Sequence, residues 1–130
     1  MAEDGTGIVT KLSPYSVEDT VTRLADRALE RGMKLFAVID HTDEARAAGL
    51  VLRDSRLVIF GDPVADARVM MASPLAGLDL PIRALVWDDG GKTKISYYEP
   101  SALVARHQVS ANLATTLSGV DALTDAVITP

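Results

Sequence analysis

The sequence predicts an α+β fold, with one mainly antiparallel sheet, helices packed against it and short helices between its strands. Three observations carry this reading. Apolar residues recur at helical spacing from Val17 to Leu29 and stop at Gly32. Ile82 to Trp87 and Lys92 to Tyr98 alternate on either side of an Asp88-Asp89-Gly90-Gly91 turn, the clearest hairpin in the chain. The run Leu35-Phe36-Ala37-Val38-Ile39 is too short to span a membrane and has the apolar character of a strand buried on both faces. With 130 residues, the chain reads as a single domain, 1–130, long enough to bury roughly two-thirds of its unfolded surface without a disulfide or metal.

In chain order, residues 1–6 are small, acidic and glycine-containing, which predicts a loose start. Ile8 to Leu12 alternates, placing Ile8, Thr10 and Leu12 on one face of a first strand and Val9 and Lys11 on the other. Ser13-Pro14 ends that strand. Ser16 then caps a helix whose first turn holds Glu18 and Asp19, where the backbone dipole favours negative charge. Val17, Val21, Leu24, Ala25, Ala28 and Leu29 make one apolar stripe.

After the strand at 35–39, Thr42 is the expected cap of a short helix from Asp43 to Ala48, closed by Gly49. Leu50 to Arg53 and Leu57 to Phe60, separated by Asp54-Ser55-Arg56, read as a hairpin. Asp62 and Pro63 form a strong helix start, with a helix expected to about Ala72. Ser73-Pro74 breaks it, and Leu75 and Leu78 anchor a turn before Asp79-Leu80-Pro81. Beyond the second hairpin, Glu99-Pro100-Ser101 opens a short helix through Arg106 and His107. Leu113, Leu117, Val120, Leu123 and Val127 keep a helical period to the end, although Gly119 weakens that helix by roughly 1 kcal/mol relative to Ala.

Composition removes several classes of function. No cysteine is present, so disulfides, thiolate zinc sites and cysteine nucleophiles are excluded. Thirteen basic residues against eighteen acidic ones give a net charge of -5 and a pI near 4.9, which repels phosphate backbones, so no nucleic-acid partner is expected. The nearest basic pairs, Arg53 with Arg56 and Lys92 with Lys94, lie beside Asp54 or Asp88 and Asp89. The start lacks a basic region followed by an apolar one, so the expected location is cytoplasmic, with no membrane partner. There is no glycine-rich phosphate loop, nucleophile elbow or His-Glu-x-x-His helix.

The functional candidates begin at Asp40 and His41, where the apolar run ends on an acid and an imidazole. An imidazole at a helix N-terminus is biased toward its neutral, proton-accepting form, and a neighbouring carboxylate fixes its tautomer. Adjacent residues on a strand point to opposite faces, so both reach one ligand only if the strand has already ended. The competing reading has Asp40 capping the helix and His41 as a hydrogen-bonded core residue. His41 and His107 are the only histidines, and with Asp40 they lack any spacing diagnostic of a metal motif, so no metal and no cofactor are assigned. Tyr97, or Trp87 with Tyr98, either lines an apolar pocket with one polar handle or fills the core.

These residues then match a known family. Phe36-Ala37-Val38-Ile39-Asp40-His41, Ala45, Gly49-Leu50, Phe60-Gly61-Asp62-Pro63, Met70, Asp79-Leu80-Pro81, Val86, Ser96-Tyr97 and Arg106-His107 together resemble the bacterial domain of unknown function 302 family, over nearly the whole chain. The resemblance implies a strand-helix-four-strand-helix sheet of the kind seen in each half of TATA-binding protein, with its helices on one face, and a homodimer. Asp62 stands where the family more often has asparagine; either caps a helix. The family carries no settled activity, and a shared fold does not transfer function.

Three classes of function follow. The first is a homodimeric small-molecule binding, accessory or sensing module, with a pocket near Asp40 and His41 that Tyr97 and His107 help to close. The second is an enzyme using His41 as general base or metal ligand, with Asp40 orienting it. The third is a protein–protein interaction domain without a small ligand. The shared structural expectation is that Asp40, His41, Tyr97 and His107 converge at one end of the sheet.

Overall fold

The computed structural model describes residues 2–3 and 6–130. Its strands are β1 (Ala2–Glu3), β2 (Ile8–Ser13), β3 (Lys34–Asp40), β4 (Ser55–Gly61), β5 (Ile82–Asp89) and β6 (Lys92–Tyr98). The helices are α1 (Val17–Glu30), α2 (His41–Ala47), α3 (Pro63–Ala72), α4 (Pro100–His107), α5 (Ala111–Ala114) and α6 (Gly119–Ile128), with short 3-10 turns at Pro74–Leu78 and Thr115–Leu117. Every strand pairing is antiparallel, in the order β1-β2-β6-β5-β4-β3. Part of the expected loose start pairs with β2 through Ala2 and Glu3, Thr6 is an exposed bend, and residues 1, 4 and 5 lie outside the described residues.

Burial alternates along the central strands and so separates two faces. Val9 and Lys11, Val58 and Phe60, Ala84 and Val86, and Ile95 and Tyr97 are buried on one side. There they meet Val17, Val21, Leu24 and Ala28 of α1 and Val120, Leu123 and Val127 of α6. Ser16 caps α1 by accepting the Asp19 N–H, as its sequence predicts. The alternate residues, among them Ile8, Leu57, Leu85 and Tyr98, lie on the other face, which stays partly exposed. A satellite cluster of Val69, Ala76, Leu80, Leu103 and Leu117 joins α3, α4 and both 3-10 turns beyond one end of the sheet.

Four expectations are corrected. The strand at 35–39 is not buried on both faces; it lies in β3 at the sheet edge, with Phe36, Val38 and Ile39 exposed and a bulge between Leu35 and Ala37. A run of apolar residues records only affinity for a covered surface, while strand order is set by pairings distant in sequence. Leu50–Arg53 forms no strand, because β4 pairs with β3 and the Thr42 hydroxyl ties the connection down, donating to the Arg53 carbonyl at 3.0 Å and accepting from the Ser55 N–H at 2.8 Å. With Thr42 so engaged, Asp40 caps α2 instead, accepting the Asp43 N–H at 2.9 Å. The terminal helix is broken into α5, a 3-10 turn and α6, and Gly119 opens α6.

Candidate functional site

The sheet's register separates the predicted site residues. Asp40 pairs with Arg56 at the start of β4, in line with the last residues of β5. The other end of β4 carries Phe60, paired with Ile82 at the start of β5, and from that end the chain leaves into α3 and enters from Asp79. Asp40 and His41 therefore sit at one end of the sheet and Asp79 and His107 at the other. The expected convergence of Asp40, His41, Tyr97 and His107 does not occur.

At the first end Asp40 is a helix cap. The Asp43 backbone N–H, reinforced by Arg56 with Nε 3.6 Å away, holds its carboxyl below the usual carboxylate range. His41 is the first residue of α2, half-exposed, and its ring makes no hydrogen bond or ion pair among the described residues. Among those residues no three His, Cys, Asp or Glu side chains are grouped to hold a metal.

Tyr97 is an interior residue, 3 % exposed, on the helix-covered face of β6. Its hydroxyl donates to Asp121 of α6, and the Lys11 ammonium stands 5.3 Å from its ring centre. Burial raises the Tyr97 pKa, and the Asp121 hydrogen bond adds to that. Lys11 is itself buried and reaches Thr124 Oγ1 at 2.8 Å, the Asp121 carbonyl at 3.0 Å and Asp125 Oδ1 at 2.8 Å. Each polar group is matched, so this network fastens α6 to β2 and β6.

The remaining candidate, His107, has a different setting. Leu103 and Val104 anchor α4 in the satellite cluster, and His107 follows them by four and three positions, on the same helical face. Its side chain is 10 % exposed, and its Nε2 lies 2.6 Å from Asp79 Oδ2. Arg106 Nη1 donates to the same oxygen at 3.0 Å, and the Ser73 hydroxyl donates to the His107 carbonyl at 3.1 Å. Burial works to raise the Asp79 carboxyl, but hydrogen bonds from His107 and Arg106 outweigh it and hold its pKa below the ordinary value. The helix ends on Gln108 in the left-handed region at φ 51°, an uncommon conformation for a residue with a Cβ.

Ser73, Pro74, Leu75, Arg106, His107 and Gln108 line an open hollow of about 250 Å³ beside this cluster. The other His107 ring nitrogen, Nδ1, has no partner among the described residues and is not sealed from solvent. The arrangement is an imidazole oriented by a carboxylate, with a guanidinium and a hydroxyl at the same opening. Asp79 was absent from the sequence-based candidates. The available signal was the resemblance itself, since Asp79-Leu80-Pro81 and Arg106-His107 are separate stretches of it that meet here.

A second hollow, about 200 Å³, lies on the helix-free face between Ile8, Leu57, Arg83, Leu85 and Tyr98. Ser96 at its floor accepts the Trp87 indole N–H at 2.9 Å and shares a hydrogen bond with Thr10. Arg83 makes no ion pair among the described residues.

The family described as "Domain of unknown function DUF302" matches residues 9–127. The chain belongs to this family. The crystal structure of an uncharacterized conserved DUF302 protein from Bacillus stearothermophilus superposes with a TM-score of 0.80 over 95 % of this chain and 97 % of that one, at 21 % identity. That likeness shows the fold. Among curated relatives, "Fluoride-specific ion channel FluC 1" of Brucella suis biovar 1 is 42 % identical over 104 residues, covering 79 % of this chain and 41 % of that protein. The protein of the same name in Brucella abortus biovar 1 matches at the same identity, with 38 % of its length covered. The chain thus spans about two-fifths of these relatives. Among the described residues of this DUF302 domain, no helix is long and apolar enough to cross a membrane.

Proposed function

We propose that this DUF302 chain is a homodimeric accessory module that binds a small molecule at the Asp79–His107 end of the sheet. The observation that carries the reading is the meeting of two distant stretches, Asp79 and Arg106-His107, beside a hollow that leaves one imidazole nitrogen without a protein partner. Carboxylate, guanidinium, imidazole and hydroxyl are the few convergent polar groups that fix a small ligand's orientation. The pocket first placed near Asp40 and His41 gives way to this one, because Asp40 is spent on its helix and the hollow lies at the far end of the sheet.

The homodimer is supported by the helix-free sheet face, where Ile8, Leu57, Leu85 and Tyr98 form an apolar surface that a second copy would cover. The accessory role is supported by the Brucella relatives, in which a matching segment is part of a longer protein named as a fluoride channel. An enzyme built on His107 is a second reading, favoured by the carboxylate-oriented imidazole.

Native mass spectrometry of freshly purified full chain tests both parts together. The expected spectrum is a dimer carrying a small retained mass that His107→Gln loses and His41→Ala keeps, with Leu85→Asp giving monomer. A bare wild-type monomer contradicts the reading.

A further inference from the structure

We propose that the hollow beside Asp79 and His107 takes a small monocarboxylate, and that His107 gains a proton as the anion binds. The inference rests on the small-molecule reading above and names its ligand class.

Charge decides the class. Arg106 is about half exposed, uses Nη1 on Asp79 and holds its guanidinium carbon 5.7 Å from the Tyr98 ring centre, so an anion meets the guanidinium edge that these two contacts leave open, in a planar geometry suited to carboxylates. Asp79 cancels that positive charge in the free site, so an added anion needs a second cation. The one group placed to supply it is His107, whose Nε2 faces the Asp79 carboxylate at 2.6 Å and whose Nδ1 has no protein partner among the described residues. Protonated, its Nδ1 becomes a donor. Arg106 and His107 then carry two positive charges against one on Asp79, and the site matches a single negative charge. The 3-10 turn at Pro74–Leu78 and helix α5, which pack on α4, contain no titratable side chain, and the charged partner hydrogen-bonded to the ring is Asp79, whose Oδ2 Arg106 shares. Ser73 donates to the His107 carbonyl and keeps lone pairs for a hydroxyl on the ligand, while Pro74 and Leu75 offer a short hydrocarbon wall. The balance is one carboxylate and one proton bound together, the proton coming from solvent and residing on His107 Nδ1 or Nε2.

The test uses the full chain and acetate at fixed ionic strength. Calorimetry in two buffers of different ionisation enthalpy, at mildly alkaline pH, is expected to show saturable millimolar binding with close to one proton taken up per acetate. Affinity should fall by about tenfold per pH unit in that range. Arg106→Gln should weaken binding by about tenfold or more. His107→Gln, which keeps a donor but cannot titrate, should bind weakly with no pH dependence. Saturable binding without proton uptake overturns the inference, and so does an absence of acetate binding in a wild-type protein whose melting is normal. If acetate fails while native mass spectrometry shows another small mass lost in His107→Gln, the ligand class is wrong and the binding-module reading stands. If neither appears, both fall.

Discussion

Asp66 turns a buried carboxylate oxygen, without a hydrogen-bond partner, onto the backbone of Gly61, and a Cβ placed on Gly61 would stand 2.8 Å from that oxygen. The contact lies where β4 passes into α3. Asp62 begins α3 by accepting the Val64 N–H at 2.9 Å, and Asp66 follows one turn later, only 5 % exposed. Burial first, and the Asp62 carboxylate second, raise the Asp66 pKa from 3.8 to about 6.

The direction of the pH effect follows from that shift. The folded state holds the Asp66 proton more tightly than the unfolded state, so this group favours folding least once it is ionised. Stability falls as pH rises from about 4 to about 6 and stays lower above that range. Asp66→Asn removes the charge at nearly constant shape. It is expected to stabilise the protein by about 1–2 kcal/mol at neutral pH and by almost nothing below pH 4, read by denaturant unfolding.

Gly61→Ala is expected to destabilise by about 1–3 kcal/mol, because the new methyl must displace the buried Asp66 carboxylate oxygen. Pairing it with Asp66→Ala should recover part of the loss. A double-mutant cycle with no coupling would show that the strain lies elsewhere.

Tyr97→Phe removes the hydroxyl from the network with Lys11, Asp121 and Thr124, leaving Asp121 without its donor. The expected cost is about 1–2 kcal/mol in unfolding free energy. Acetate affinity should change by less than about twofold, since that network fastens α6 and belongs to a different part of the molecule.

At the α2 corner the two neighbours should part company. Asp40→Ala loses the cap of α2 and the Arg56 contact and lowers the melting temperature. His41→Ala removes a ring with no described partner and should change stability by less than about 0.5 kcal/mol, less than a buried, hydrogen-bonded histidine would cost. Equal losses would restore the core reading of His41.

Those outcomes reflect what a single sequence can and cannot carry. Ser16 before α1 and Asp62-Pro63 before α3 were legible because capping is chemistry between neighbours, and the β5–β6 hairpin because its turn is local. The position of β3 was not legible. Its apolar run looks the same in the centre of a sheet and at an edge, and only the pairing of β4 with β5 leaves it outermost. The site failed for the same reason. Asp40 and His41 are adjacent and drew attention as a pair, whereas Asp79 and His107 lie 28 positions apart and meet through the packing of α4 on the turn before β5. Tyr97 was assigned a place in the site although alternation allowed either face, and pairing with Ala84 and Val9 put it on the helix-covered one.

The chain contains two histidines, so the imidazole region of a long-range proton–nitrogen NMR spectrum reports His41 and His107 separately and directly. Acetate titrated into uniformly nitrogen-labelled protein near neutral pH is predicted to move the His107 Nδ1 and Nε2 resonances toward the imidazolium pattern and to leave those of His41 in place. Movement of the His41 resonances with His107 unchanged would put the working site at the α2 corner and contradict the account.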